Sequence, residues 1–326
     1  MRHVPFGETG LSVSRIGLGC MSMSGIYDAA DDAESIRTLH RAFDLGVNLL
    51  DTSGNYGDGH NHELIAKALK GRRERVIVHS KSGSPSTPDA NGKRSGSSPE
   101  YLTRALEETL RRLRTDVVDV YCMSRVDPDI PVEESVGALA ELVDRGLARH
   151  VALSEASAES IRRARAVHPV VSLQIEYSLW ARDAEQGNIQ AVREFGMGFM
   201  AYAPLGRGFL AGAVRDSAAL GERDRRKDQP RYRPGNFERN LELLDAFEEA
   251  ARDKGVTPAQ LALAWVLAQG DDIIPIPGSK TIRHLEENLA AAEVELSPDE
   301  LQRIEEVFRP EAVAGDRTRE MNRVNV

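Results

Sequence analysis

The chain has 326 residues, 41% of them hydrophobic and 29% charged, the balance of a soluble globular protein with a substantial core. A formal charge of −9 and a pI of about 5.5 argue against nucleic acid as a partner, and no apolar run is long enough to span a bilayer. The N-terminus, Met-Arg-His-Val-Pro, lacks a signal-peptide apolar segment, and Cys20 and Cys122 lack metal-type spacing, so cytoplasmic residence with free thiols is the expectation.

In chain order, His3 to Phe6 and Leu11 to Val13 flank the turn Gly7-Glu8-Thr9-Gly10 and predict a short β-hairpin. Eight apolar runs then predict strands: Ile16–Leu18, Val47–Leu50, Val76–His79, Val117–Met123, Val151–Leu153, Val171–Ile175, Gly198–Tyr202 and Ile273–Ile276. Most are continuously apolar, which suits parallel strands covered on both faces. Helical patterns fall between them. Leu102, Leu106, Leu110 and Leu113 recur at helical spacing behind Ser98 as cap and Pro99 as first helical residue. Ser157 starts a helix running to about Val167, and Thr257-Pro-Ala-Gln and Ser297-Pro-Asp-Glu read as capping boxes.

This alternation predicts an α/β fold, a (β/α)8 TIM barrel with an N-terminal hairpin, as one domain over residues 1–326. An open doubly wound sheet is the alternative, but no G-x-G-x-x-G follows the first strand. Two long loops stand out. Ser82 to Ser98, after the third strand, is rich in Ser, Gly and Pro. Residues 206–239, after the seventh, hold nine Lys/Arg against five Asp/Glu and read either as a solvated face or as a lid over an anionic ligand. Residues 311–326 form a C-terminal tail carrying Arg317, Arg319 and Arg323, able to fold over the mouth or support oligomerisation.

A barrel brings the residues just past each strand to one mouth. These are Asp51 and Tyr56, then Lys81, Ser124 with Arg125, Ser154 with Glu155, Gln174 with Glu176 and Tyr177, Tyr202, and Pro277 to Lys280. Tyr, Lys and Asp together suggest a proton donor. A free phenol has a pKa near ~10; an adjacent ammonium lowers it, and a carboxylate holds the ammonium in place. Lys81 as a Schiff-base lysine is the weaker reading, because Asp51 would raise its pKa. His60 and His62, with Asp58, read as a solvated turn rather than a metal site, so no metal is expected. His79 is expected to face the helices or a neighbouring layer. Trp180 is either a pocket or a packing residue, and Cys122 and Met123 are core.

Several stretches resemble the aldo-keto reductase family: Asp51-Thr-Ser-Gly-Asn-Tyr-Gly, Lys81 at the end of strand three, Arg125-Val-Asp-Pro, Gln174-Ile-Glu-Tyr-Ser-Leu-Trp, Ala201-Tyr-Ala-Pro-Leu-Gly-Arg-Gly-Phe-Leu, Ile276-Pro-Gly-Ser-Lys and His284-Leu-Glu-Glu-Asn. The resemblance covers essentially the whole chain and is nearest to the bacterial branch with a long loop after strand seven. It implies a barrel that reduces carbonyls of small organic molecules with NADPH and without a metal. On that resemblance Tyr56 is the general acid, tuned by Lys81 and Asp51. Ser154 and Gln174 hold the nicotinamide carboxamide, with Met21 and Glu155 also at the cofactor, and Tyr202 stacks on the ring. Leu205, Gly206, Arg207 and Gly208 lie along the pyrophosphate. Gly278, Ser279, Lys280, His284, Glu287 and Asn288 form the adenosine end, with Lys280 the partner for a 2′-phosphate.

Four positions depart from the family pattern. Ser124 stands where the family has its catalytic histidine; a serine is a hydrogen-bond donor but a poor proton donor, and it is short. Glu155 replaces Asn and adds a negative charge near the nicotinamide, Ala203 replaces Ser, and His284 replaces Arg, which weakens strict NADPH preference. Three functions follow: a carbonyl reductase with a reduced donor set, a reductase of a C=C or C=N bond enabled by Ser124, or a nucleotide-binding regulatory or weakly active protein. The sequence names neither the substrate nor the oligomeric state.

Overall fold

The structure, a computed structural model, describes residues 1–83, 96–222 and 224–324. The hairpin is present: β1 (His3–Pro5) pairs antiparallel with β2 (Ser12–Ser14). Eight strands then form one parallel sheet in sequence order: β3 (Leu18–Gly19), β4 (Leu49–Ser53), β5 (Ile77–Ser82), β6 (Val118–Met123), β7 (Ala148–Ser154), β8 (Val170–Glu176), β9 (Gly198–Tyr202) and β10 (Ile273–Pro275). The sheet curls until its ends meet. Gly19 forms a parallel bridge with Gly278, and the amides of Gly17 and Gly19 donate to Pro275 and Pro277 at 3.0 and 3.1 Å. Glycine at 19 permits that approach, since a Cβ there would sit 2.7 Å from the Ile276 carbonyl oxygen. A doubly wound sheet reverses its strand order; this one does not.

Ten α-helices occur among the described residues: α1 (Asp32–Asp44), α2 (His60–Ala68), α3 (Pro99–Leu113), α4 (Val132–Asp144), α5 (Ala158–Arg165), α6 (Asn188–Glu194), α7 (Asn236–Lys254), α8 (Pro258–Ala268), α9 (Ile282–Ala290) and α10 (Pro298–Val307). None of them is long and apolar enough to cross a membrane. The expected caps form. Ser98 accepts from the Tyr101 amide, and both halves of the boxes at Thr257 and Ser297 are made. Thr257→Ala should lower stability by about 0.5–2 kcal/mol. A fall in the denaturant midpoint checks this; an unchanged midpoint would mean the cap contributes nothing in this context.

Strand alternation sorts side chains to two faces. Leu49, Ile77, Val120, Cys122, Ala152, Met200 and Ile274 form an interior cluster, plugged by Val4, Phe6 and Val13 of the hairpin. Leu50, Val78, Tyr121, Met123, Leu153, Leu173 and Phe199 point outward to the helices. Further along β4 to β9, or just past their ends, the interior face becomes polar: Asp51, His79 and Lys81, Ser124, Ser154, Gln174 and Tyr202. Packing at the closed end and chemistry at the open end therefore share one register.

Several sequence expectations need correction here. The chemistry-bearing strands run past their apolar runs, to Ser53 and Ser82, because the parallel ladder continues through polar residues. Most of the expected loop Ser82 to Ser98 lies outside the described residues. The segment 206–239 ends inside α7, which begins at Asn236. Three of its cations are paired: Arg207 with Glu176, Arg226 with Asp224, and Arg215 with Asp245 and Glu248.

Candidate active site

A cavity of about 780 Å³ opens at the C-terminal end of the strands, within the roughly 300–1,000 Å³ usual for cofactor and small-molecule sites. Asp51, Tyr56, Lys81 and Ser124 all line it. Asp51 is the hub. Its Oδ1 accepts from Lys81 Nζ at 2.5 Å, Gln174 Nε2 at 2.7 Å and His79 Nδ1 at 3.1 Å. Lys81 Nζ also donates to the Thr52 carbonyl at 3.2 Å and lies 5.2 Å from the centre of the Tyr56 ring. Burial works against the charge on Lys81, but Asp51 and Tyr56 outweigh it and its pKa rises. Burial likewise opposes the Asp51 carboxylate, yet Lys81 and His79 hold its pKa below the usual range.

The phenol behaves differently from the sequence expectation. Burial pushes the Tyr56 hydroxyl up to about 12, and the Lys81 ammonium offsets only part of that. The Tyr56 hydroxyl therefore keeps its proton at neutral pH rather than being made acidic by its neighbour. Burial also keeps His79 neutral, against the pull of Asp51. Because a carboxylate only accepts, Nδ1 of His79 carries the proton. His79 faces the barrel interior, not the helices: it sits two positions from Lys81 and so on the same face. That parity was the signal available in the sequence.

Of the expected cofactor residues, Met21, Ser154, Gln174, Tyr202, Leu205, Arg207, Gly208, Gly278, His284, Glu287 and Asn288 line the same cavity. Four do not. Gly206 is buried and its carbonyl accepts from Tyr232; Ser279 is buried and accepts from Asn288 at 3.0 Å. Lys280 is tied to Asp28 at 2.5 Å and to the Ala29 carbonyl at 2.7 Å. Glu155 is fully buried and held by Arg317 of the tail, Nη2 to Oε2 at 2.6 Å and Nη1 to Oε1 at 2.9 Å. The Tyr202 hydroxyl and the Glu176 amide also donate to it, at 2.8 and 3.2 Å. So Glu155 brings no unpaired charge to the nicotinamide end; it anchors Tyr202.

The neighbourhood is conformationally demanding. Glu155, Ala203 and Arg207, directly after or near the ends of β7 and β9, have φ of +54°, +48° and +58°, and such left-handed non-glycine residues concentrate at functional sites. Residues not singled out from the sequence also line the cavity, among them Tyr27, Asn55, Arg226, Arg283 and Glu320. His62, expected in a solvated turn, is buried and paired with Ser80 Oγ at 3.1 Å. Trp180 does not line the cavity; it stacks on Phe209 with ring centres 3.9 Å apart.

An eight-stranded barrel with a Tyr-Lys-Asp constellation in a cofactor-sized mouth defines a class of barrel oxidoreductase. The sequence matches the model of the aldo/keto reductase family over residues 15–309, and the chain belongs to that family. It is an NAD(P)H-dependent oxidoreductase. The structure is similar to a glycerol dehydrogenase from Gluconobacter oxydans, with a TM-score of 0.83 at 27% identity over 94% of this chain and 95% of that one. It is also similar to a thermostable aldo-keto reductase solved with the inhibitor epalrestat, with a TM-score of 0.74 at 31% identity over 94% of this chain and 100% of that one.

Proposed function

We propose that the protein reduces an aldehyde or ketone of a small organic substrate with NADPH, Tyr56 serving as the proton donor. The observation that carries this reading is the single cavity shared by Tyr56, Lys81, Asp51, Ser154, Gln174 and Tyr202. The cavity also fits a dinucleotide. Ser154, Gln174 and Tyr202 lie at the catalytic end. Leu205, Arg207 and Gly208 follow, and Gly278 leads to the first turn of α9, where backbone amides favour phosphate. When bound, NADPH supplies a hydride to the carbonyl carbon.

The chain's own residues do the rest. Tyr56 gives its proton to the carbonyl oxygen and is reprotonated from solvent. Lys81, kept charged by Asp51, stabilises the phenolate left behind. Asp51, gripped by three donors, fixes Lys81 in place. Ser124 faces the reacting end as a hydrogen-bond donor. Among the cations at the adenosine end, Arg283 lines the cavity whereas Lys280 is engaged by Asp28, so Arg283 is the better placed partner for a 2′-phosphate. Segment 206–239 supplies Gly208, Ala211, Ala213 and Arg226 to the lining. Arg226 lies 5.1 Å from the centre of the Tyr27 ring, across the cavity mouth, which supports a cover over the cofactor.

A second reading, reduction of a C=C or C=N bond, is favoured by one observation: the side chain facing the cavity at 124 is only a serine. The test is NADPH consumption across a panel of aromatic aldehydes, 1,2-diketones, enones and cyclic imines. Carbonyl turnover supports the first reading; turnover of enones or imines alone supports the second. Ser124→His should raise carbonyl kcat, by up to about 10²-fold if it restores a missing donor. No gain at any pH would contradict a simple missing-donor account.

A further inference from the structure

The cavity holds a cation beside the catalytic residues that no carboxylate pairs with among the described residues. Lys81 is neutralised by Asp51, Arg207 by Glu176 and Arg226 by Asp224. Arg283 lies at the opposite end of the cavity, on α9. Arg125 lines the cavity beside Ser124, and among the described residues no carboxylate pairs with it. Its Nη1 donates to the Ser124 carbonyl at 2.5 Å and lies 3.4 Å from Ser154 Oγ. The guanidinium therefore folds back over the end of β6 toward the catalytic residues. Glu155, the carboxylate whose charge Arg125 feels, is occupied by Arg317 through both oxygens.

We propose that Arg125 forms a carboxylate-binding subsite next to the reacting carbonyl, and that the preferred substrate is a 2-oxo acid. This rests on the reductase reading above and names its substrate class. A half-buried guanidinium bonded only to a carbonyl and a hydroxyl gains a charged partner when an anion meets it, and its planar fork matches a carboxylate. Its position beside Ser124 and Ser154 places that anion adjacent to the reacting centre rather than out on the surface. In such a substrate, hydride goes to the C2 carbonyl carbon and the Tyr56 proton to its oxygen, giving a 2-hydroxy acid and oxidised nicotinamide. The carboxylate stays bound to Arg125 and unchanged throughout.

The matched probes are phenylglyoxylate and its methyl ester, which share ring and ketone and differ in charge. Wild type should favour the acid in kcat/KM, and calorimetric titration of the NADP+-loaded enzyme should show the acid binding more tightly. In Arg125→Gln the acid-over-ester preference should fall by about 10- to 100-fold, the value of a hydrogen bond to a charged group. Arg125→Lys, which keeps the charge but loses the fork, should fall between; it serves as the test if the glutamine variant fails to fold. Equal binding of acid and ester by wild type, or an equal loss of both on substitution, overturns the subsite. If the acid binds through Arg125 but no 2-oxo acid or other carbonyl is reduced, the subsite stands and the reductase reading falls.

Discussion

Tyr56→Phe is expected to lower kcat for carbonyl reduction by about 10²–10⁴-fold, the usual contribution of a positioned general acid, while NADPH affinity changes little. The substitution removes the only hydroxyl of that side chain and leaves the ring beside the Lys81 ammonium, 5.2 Å from its centre. The pH profile sharpens the test. Burial pushes the hydroxyl up to about 12, so the protonated form persists below that value and the reductive rate should not fall as pH rises through the neutral range. The reverse reaction needs the ionised phenol as base. Its rate should climb by about tenfold per pH unit toward that value. A reductive rate that falls as pH rises through the neutral range would assign the proton to another group.

Arg317→Ala is expected to destabilise the protein by about 3–5 kcal/mol, because it leaves the Glu155 carboxylate buried and unpaired. Both side chains are wholly buried, and Arg317 also reaches Asp183 at 2.7 Å. Glu155→Gln introduced into the Arg317→Ala background should recover part of the loss, because the two changes act on one contact. Burial opposes the Glu155 charge but Arg317 outweighs it, leaving the pKa below the ordinary carboxylate value. The stability from this depressed pKa is complete above the unfolded value and is lost as pH falls through the lower folded value. Denaturant midpoints measured for wild type and both variants check the prediction. A loss under about 1 kcal/mol, the scale of an exposed pair, would mean the tail is not held by this contact.

The fold was legible because the apolar runs recur with helices between them, and because caps such as Ser98, Thr257 and Ser297 are local. Asp51, Tyr56 and Lys81 were legible for the same reason: each lies at or just beyond the end of an apolar run. What escaped was long-range pairing. Arg317 meets Glu155 across 162 residues of sequence, and Lys280 meets Asp28 across 252. No local pattern encodes those encounters, so Glu155 read as a free charge and Lys280 as a free cation. The strand ends were misjudged because hydropathy stops at Leu50 while the ladder runs on to Ser53. The acidity of Tyr56 was misjudged because its neighbour was visible in the sequence and its burial was not.

The most direct test is a single turnover. NADPH is loaded onto the enzyme in slight deficit, an aromatic aldehyde or phenylglyoxylate is added, and loss of the dihydronicotinamide absorbance is followed alongside alcohol formation. One alcohol per NADPH from wild type, with the step slowed at least about 10²-fold in Tyr56→Phe, is the result this account requires. Bound NADPH that persists in the presence of every carbonyl, or a wild-type rate in the Phe variant, would contradict it.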